Sequence, residues 1–277
     1  MHDQKADRPI GVFDSGIGGL TVVRQLLSFL PDEDIVYFGD TARVPYGTKS
    51  PETVTRFTRE AARFLAHRGV KCLVLACNTA SALALPALRE DFELPMAGVI
   101  LPGARAAGRA TRNRRIGVIG TVATVRSGAY EAAIRELDPA IEVRAAACPL
   151  FVPLAEEGWI EGEVVEQAAR IYLAPLLASG VDTLILGCTH YPLLKTAIAR
   201  IAGPEVTLID TAEETVREVE AMLRSEGLRR DARAEGHHRF FVSDVPAQFS
   251  EVGARFLGRP LSSVEWVRQE DLPWYER

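Results

Sequence analysis

A regular alternation of short apolar runs with longer amphipathic segments constrains the fold most strongly. PIGVF precedes GLTVVRQLLSFL, IVYFG precedes PETVTRFTREAARFLAHRG, and KCLVLA precedes ALALPALRED. A short apolar run is typical of a buried strand, and apolar residues at helical spacing predict a helix that lies on the sheet. Further strands are predicted at 96–100, 116–119, 141–147, 183–187, 206–209 and 239–243. The chain is therefore predicted to be an α/β protein with mostly parallel sheets.

An internal repeat emerges when Cys77 is aligned with Cys188. Residues 73–76 (LVLA) then match residues 184–187 (LILG), and an upstream pair, IGVFDS at 10–15 and IGVIGT at 116–121, matches with nearly the same spacing. Two pseudo-symmetric α/β domains are therefore predicted. The first comprises residues 1–102 and 211–277, and the second comprises residues 103–210.

Composition and charge narrow the class of protein. Hydrophobic residues make up 47% of the 277 residues, which is enough for two domains of ordinary size. The net charge is −5 and acids and bases are interspersed, so the basic surface needed to bind nucleic acid is missing. No apolar run approaches the ~18 to 20 residues of a membrane span, and the leader MHDQKADRP lacks the apolar segment of a signal peptide. We expect a cytoplasmic protein without nucleic-acid or membrane partners.

The four cysteines, at 72, 77, 148 and 188, fit neither a C-x-x-C pair nor a zinc-ligand cluster. In a reducing compartment they are predicted to be free thiols. Cys72 and Cys148 fit a structural role as small apolar side chains. Cys77 and Cys188 differ from them because each ends a predicted strand and is followed by hydroxyl or amide residues.

Polar residues cluster at the carboxyl ends of the predicted strands, where parallel sheets bind their ligands. They are Asp14 and Ser15 after the first strand, Pro45, Tyr46 and Gly47 after the second, Cys77, Asn78 and Thr79 after the third, Thr121 and Thr124 after the fifth, and Cys188, Thr189 and His190 after the seventh. A thiol beside a helix N-terminus has a lowered pKa, because the helix dipole stabilises the thiolate. Each of the two cysteines is therefore a candidate acid or base.

Simpler interpretations compete for several of these residues. DSGIGG at 14–19 is neither a Walker loop nor a nucleophile elbow, and its glycines fit a tight turn between strand and helix. His190 alone fits a structural histidine, and Glu156 and Glu157 fit the solvated start of a helix.

The candidate loops themselves indicate a type of substrate. They are nearly free of Lys and Arg and rich in hydroxyls, amides and glycine N–H groups, which favours a small anionic molecule. Two thiols facing each other suit a reaction in which one removes a proton and the other delivers one from the opposite side.

Taken together, the motifs resemble those of the glutamate racemase family, within the cofactor-independent aspartate/glutamate racemase superfamily. The resemblance covers nearly the whole chain and rests on IGVFDSGIGGLTV, FGDTARVPYGTKS, LVLACNTASALAL, IGVIGTVATVRSGAY, CPLFVPLAEEG, LILGCTHYPLL and FFVSDVPAQFSEVGARFLG. It implies two pseudo-symmetric α/β domains with the active site between them.

Site roles follow from this resemblance residue by residue. Cys77 is implied to act on the α-proton of D-glutamate and Cys188 on that of L-glutamate, with Asp14, His190 and Glu156 assisting. Substrate binding is implied for Asp14, Ser15, Pro45, Tyr46, Gly47, Cys77, Asn78, Thr79, Thr121, Cys188, Thr189 and His190. Neither a metal nor another cofactor is expected, since no ligands cluster and no lysine is placed for a Schiff base.

The resemblance also implies a biological role, the supply of D-glutamate for peptidoglycan in cell-wall biogenesis and cell shape, and a homodimer is expected. Two alternatives remain at this level. One is a racemase of the same superfamily that acts on aspartate or another amino acid. The other is a non-enzymatic protein of this fold, a small-ligand sensor or a partner of DNA gyrase, against which the presence of both cysteines argues.

Overall fold

The strands form two sheets in which every neighbouring pair is parallel. The computed structural model describes residues 5–231, 234–261 and 263–268. Within these ranges the strands are β1 Ile10–Asp14, β2 Ile35–Gly39, β3 Cys72–Leu75, β4 Met96–Gly98, β5 Arg115–Gly120, β6 Glu142–Ala147, β7 Thr183–Gly187, β8 Thr207–Asp210, β9 His238–Val242 and β10 Val264–Trp266.

Helices connect the strands, as the amphipathic segments predict. They are α1 Leu20–Phe29, α2 Pro51–His67, α3 Asn78–Leu83, α4 Leu85–Asp91, α5 Ile100–Ala110, α6 Val122–Arg126, α7 Ala129–Leu137, α8 Phe151–Glu156, α9 Glu163–Ala178, α10 Lys195–Ala202, α11 Thr211–Ser225 and α12 Pro246–Leu257. Short 3₁₀ turns lie at Thr41–Arg43, Tyr46–Thr48 and Tyr191–Leu194. None of the helices in the described ranges is long and apolar enough to cross a membrane.

The two sheets share one strand order. The first sheet runs β10-β9-β2-β1-β3-β4 and the second runs β6-β5-β7-β8, so β2-β1-β3-β4 corresponds to β6-β5-β7-β8. The register agrees with the sequence repeat, because Ile10 pairs with Cys72 in one sheet and Ile116 pairs with Thr183 in the other. The predicted α/β class with parallel sheets is confirmed.

A glycine recurs at the same position of the repeat. A Cβ added to Gly11 in β1 would lie 3.0 Å from Val70 Cγ1, and one added to Gly117 in β5 would lie 2.8 Å from Leu184 Cδ1. Both strands are therefore covered closely at their starts by apolar side chains. This packing fixes the two central strands, whose other ends lead into the site.

The structure differs from the sequence-based predictions at a few strand ends and at one domain boundary. The predicted strands begin or end within two residues of the observed ones, but β10, a short and largely exposed edge strand, was not predicted. Pro102, near which the sequence places a domain break, lies inside α5. The strands of the first sheet come from residues 10–98 and 238–266, and those of the second come from residues 115–210. The exact boundaries near residues 102 and 210 stay a prediction.

Candidate active site

A cavity of about 190 Å³ lies where the carboxyl ends of strands from both sheets meet. Its walls are formed by segments that follow β1, β2 and β3 of the first sheet and β5, β6 and β7 of the second. The sequence-predicted residues that line it are Ser15, Pro45, Tyr46, Gly47, Cys77, Asn78, Thr79, Thr121, Glu156, Cys188, Thr189 and His190. Asp14 lies buried beside them and does not line the cavity.

Glycines let the two halves approach closely at this cavity. A Cβ on Gly18 would lie 2.2 Å from Thr189 Oγ1, and one on Gly47 would lie 2.6 Å from Thr121 Cβ. The Thr21 hydroxyl also donates to the carbonyl oxygen of Thr189 at 3.1 Å. Only residues without a side chain fit at these two points, so the seam between the halves is set by the glycines.

Three threonine hydroxyls join the halves on another side of the cavity. Thr79 Oγ1 lies 2.9 Å from Thr121 Oγ1 and 3.0 Å from Thr124 Oγ1, and the latter two are 3.0 Å apart. Thr121 also caps α6 by accepting a hydrogen bond from the Thr124 backbone N–H at 3.2 Å. Because a hydroxyl both donates and accepts, this cluster can hold a carboxylate by turning one O–H toward it.

Cys77 follows β3 as the N-cap residue of α3, and its side chain is only slightly exposed. Its thiol donates to Ser15 Oγ at 3.4 Å. Burial, with a further contribution from the nearby charge of Asp14, raises the pKa of Cys77 to about 12. The expectation that the helix N-terminus lowers this pKa is therefore wrong for Cys77, because the loss of hydration outweighs the dipole of a single short helix.

Asp14 ends β1 behind Cys77 and is almost fully buried. Its Oδ2 accepts a hydrogen bond from the Gly16 backbone N–H at 2.9 Å, whereas Oδ1 has no partner among the described residues. Burial raises the pKa of Asp14, and the charge of His190 opposes that rise. The carboxyl group is thus poised to hold a proton more readily than an exposed aspartate does.

Cys188 directly follows β7 and faces a hydrogen-bonded pair of side chains. Its Sγ lies 3.8 Å from His190 Nδ1, and His190 Nε2 lies 2.8 Å from Glu156 Oε1. Burial acts to lower the pKa of His190, but the hydrogen bonds to Cys188 and Glu156 outweigh it and raise this pKa to about 10. These contacts favour the cationic form of His190, which is placed between a thiol and a carboxylate.

Helix α12, close to the chain's C-terminus, supports this pair. Arg255 Nη1 donates to the carbonyl oxygen of Glu156 at 2.7 Å, and the Phe256 ring packs edge-on against His190 with centroids 5.1 Å apart. Neither residue was predicted from the sequence. Both lie in a segment that α/β alternation marks as an ordinary helix, so no local pattern could reveal them.

Two more lining residues, Tyr46 and Asn78, are held by hydrogen bonds to buried residues outside the cavity. The Tyr46 hydroxyl donates to Asp40 Oδ2 at 2.5 Å, and Asp40 Oδ1 accepts from the Ser243 hydroxyl at 2.9 Å. Tyr130 donates to Asn78 Oδ1 at 2.7 Å. Asp40, Ser243 and Tyr130 were likewise not predicted as part of the site. Ser243 lies 203 positions from Asp40 and Tyr130 lies 52 positions from Asn78, and no local pattern marks the contact between Asp40 and Tyr46.

The chemical character of the cavity is neutral apart from Glu156 and His190. Among the described residues, no Lys or Arg lines it. Over the same ranges, no group of three or more His, Cys, Asp and Glu side chains is placed to hold a metal ion. Two thiols from equivalent strand ends, each with its own polar neighbours, and a set of hydroxyl and amide donors share one small cavity. Such a cavity can exchange protons with a small anionic ligand.

The sequence pattern of the Asp/Glu/Hydantoin racemase family matches residues 10–219. The chain belongs to this family. It is 58% identical to a glutamate racemase of Geobacter metallireducens, over 95% of this chain and 97% of that protein. The family resemblance drawn from the sequence motifs, and the prediction of an amino-acid racemase, are thereby confirmed.

Solved structures of the family have the same fold. The glutamate racemase of Francisella tularensis, solved in complex with D-glutamate, is 41% identical and superposes with a TM-score of 0.90 over 96% of this chain and all of that one. The glutamate racemase of Thermus thermophilus, solved with beta-chloro-D-alanine, is 48% identical with a TM-score of 0.88, over 96% of this chain and 99% of that one.

Proposed function

We propose that the protein interconverts L- and D-glutamate, with Cys77 and Cys188 as its two acid/base residues. The observation that carries this proposal is that both thiols, from equivalent strand ends of the two halves, line one cavity. Relatives that align over nearly the whole chain are glutamate racemases, which supports glutamate as the substrate.

The reaction is a proton exchange at the α-carbon. In the L-to-D direction the Cys188 thiolate removes the α-proton, and the electron pair left on Cα delocalises into the α-carboxylate. The Cys77 thiol then gives its proton to the opposite face, so that Cα becomes D and the two cysteines have exchanged protonation states. In the D-to-L direction the same residues exchange roles.

Neighbouring groups assist each thiol differently. The His190 cation, held by Glu156, stabilises negative charge on the Cys188 sulfur. Burial raises the pKa of Cys77 to about 12, so this residue is a thiol at neutral pH and is ready to act as the acid. The Ser15 hydroxyl is placed to donate to the Cys77 thiolate when Cys77 acts as the base, and Asp14 in its protonated form is placed behind Cys77 to relay a proton.

Neutral donors bind the two carboxylates of the substrate. Ser15, Asn78, Thr79, Thr121 and Thr189 line the cavity with hydroxyl or amide groups, and the Pro45–Gly47 loop closes it. Hydrogen bonds to an anion are stronger than those between neutral groups, so such donors can hold a carboxylate without an arginine. With no Lys or Arg among the described lining residues, the substrate ammonium is free to stabilise a thiolate.

We further propose that the chemistry needs no metal or organic cofactor and that the product serves peptidoglycan synthesis. The protein is proposed to work in the cytoplasm as a homodimer. Incubation with a chelator should leave the rate of racemisation unchanged. A loss of activity that zinc restores would mean that the thiols act as ligands.

Solvent isotope incorporation tests the two-thiol mechanism. Purified protein is incubated with L-glutamate in heavy water, and the enantiomers are separated at low conversion and analysed by mass spectrometry. The D-glutamate formed should carry deuterium at Cα, while the remaining L-glutamate stays largely protiated. Protium retained in the product would indicate one base that serves both faces. L-aspartate, assayed in parallel, should react far more slowly.

A further inference from the structure

Tyr130 forms a hydrogen bond across the two halves of the site. It lies in α7, is almost completely buried, and donates its hydroxyl to Asn78 Oδ1 at 2.7 Å. Asn78 is the first residue of α3, directly after Cys77, and it lines the cavity. A residue on a helix of one half therefore holds a side chain that lines the cavity beside the thiol of the other half.

The opposite end of the Asn78 side chain has no partner. Its Nδ2 is buried, and no described residue accepts a hydrogen bond from it. A buried polar group without a partner costs about 1 to 3 kcal/mol, so native proteins rarely leave one unpaired without a reason. In a cavity built for an anionic substrate, a carboxylate oxygen is an acceptor that would satisfy it.

The direction of the Tyr130 bond fixes which end of the amide remains available. Burial, with a further contribution from the nearby Cys188, raises the pKa of Tyr130 well above its ordinary value, so the phenol stays neutral and keeps its proton. A donating hydroxyl selects the amide oxygen, and the NH₂ group is then left for the ligand. An amide turned the other way would leave its oxygen for the ligand and repel a carboxylate.

Close packing holds the Tyr130 ring in place. A Cβ on Gly187 would lie 3.1 Å from Tyr130 Cε2, and one on Gly103 would lie 3.4 Å from Tyr130 Cε1. Gly187 directly precedes Cys188 at the end of β7. Tyr130 therefore contacts the strand that carries one thiol and the amide that follows the other.

We propose that Tyr130 is a positioning residue that orients the Asn78 amide so that Nδ2 donates to a carboxylate group of the substrate. This inference rests on the proposed racemase function, in which Asn78 binds the substrate. It adds to that function a residue from the second half that sets the binding geometry on the first half.

Tyr130→Phe tests the inference, because it keeps the ring and removes only the hydroxyl. The dissociation constant of D-glutamate, measured by isothermal titration calorimetry, and the KM should each rise about tenfold, while kcat changes much less. Tyr172→Phe is the matched control. Its hydroxyl accepts a hydrogen bond from the Leu150 backbone N–H outside the cavity, so its removal should leave both constants unchanged.

A double-mutant cycle separates positioning from a general structural effect. If Tyr130 acts through Asn78, Tyr130→Phe should raise the KM little further in an Asn78→Ala background. An equal rise in both backgrounds, or no rise in the single variant, would overturn the inference.

Asn78→Asp provides a second test that leaves Tyr130 unchanged. This variant replaces the NH₂ group with an oxygen and should weaken D-glutamate binding more than Asn78→Ala does. Binding by Asn78→Asp as tight as that of the wild type would contradict the inference. A wild-type protein that binds D-glutamate without racemising it would refute the proposed function, and the binding measurements would still decide the role of Tyr130.

Discussion

The strand ends that carry Cys77 and Cys188 are alike in backbone and unlike in their surroundings. Each follows a central strand that pairs with its equivalent neighbour, and each cysteine residue is 6% exposed. Cys77 has a hydroxyl from Ser15 nearby and the largely buried Asp14 behind it. Cys188 instead faces the hydrogen-bonded pair of His190 and Glu156.

This difference shows what a duplicated fold preserves. The repeat keeps the positions of strands and strand ends, because these depend on apolar packing that both halves share. The polar groups around each thiol come from non-equivalent loops, so they are free to differ. The two faces of an α-carbon are mirror images, yet under our proposal the groups that serve them are chemically distinct.

The largest expected effect tests whether both thiols are needed. Cys77→Ala and Cys188→Ala should each lower kcat/KM by about 10³-fold, since each direction needs one base and one acid. The loss must be equal in both directions because the enantiomers have equal free energies. Cys72→Ala, which removes a core thiol outside the cavity, is the control and should cost about 1 kcal/mol of stability with little change in rate. A variant that lacks one of these two thiols and still racemises at the normal rate would show that the reaction does not need both.

Adding a methyl group at Gly18, where the two halves approach closely, should have the next largest effect on the rate. In Gly18→Ala, the new Cβ would lie 2.2 Å from Thr189 Oγ1 and 2.6 Å from the His190 ring, so the loop after β7 must shift. We expect kcat to fall about 10- to 100-fold, as displaced catalytic groups lose their alignment. In the control Gly108→Ala, the new Cβ has no neighbour nearer than 4.0 Å and lies within α5. That variant should gain up to about 1 kcal/mol of stability and retain its activity.

Replacing one carboxyl group at a time should distinguish the group that assists Cys188 from the group that assists Cys77. Glu156→Gln removes a charge that supports His190, and Asp14→Asn removes the carboxyl beside Cys77, each lowering kcat/KM about tenfold. With substrate deuterated at Cα, Glu156→Gln should increase the isotope effect in the L-to-D direction, where Cys188 removes the proton. Asp14→Asn should increase it in the D-to-L direction. The same change in both directions for both variants would mean that the assisting groups are not specific to one thiol.

The smallest expected effect is on the pH dependence of stability. The pKa of His190 is raised to about 10 in the folded protein, so its contribution is fully present below the ordinary value of 6.5 and is lost as pH rises through about 10. The pKa of Asp14 is also raised, and its contribution is lost as pH rises above the ordinary value of 3.8. Urea unfolding should show a weaker alkaline decline in Glu156→Gln and a weaker decline above pH 3.8 in Asp14→Asn. Identical profiles in wild type and variants would contradict these shifts.

The sequence by itself determined the scaffold and most of the polar residues that line the cavity. Hydrophobic periodicity is a local property, so βα alternation and the repeat are readable without coordinates. Parallel strands end at a common edge, so Cys77 and Cys188 could be assigned to strand ends, and the motifs around them to one family. Among the residues to which the resemblance assigns a site role, Asp14 alone does not line the cavity, because it is the last residue of β1 and is buried beneath it.

Only the tertiary structure decided which groups act on one another. His190 meets Glu156 across 34 positions of the chain, and Arg255 reaches Glu156 across 99. The direction of the Cys77 pKa was also beyond the sequence, because it depends on how completely neighbouring elements exclude water. Hydrogen-bond partners and desolvation are set by distances of a few ångströms between segments remote in sequence, and no local pattern encodes those distances.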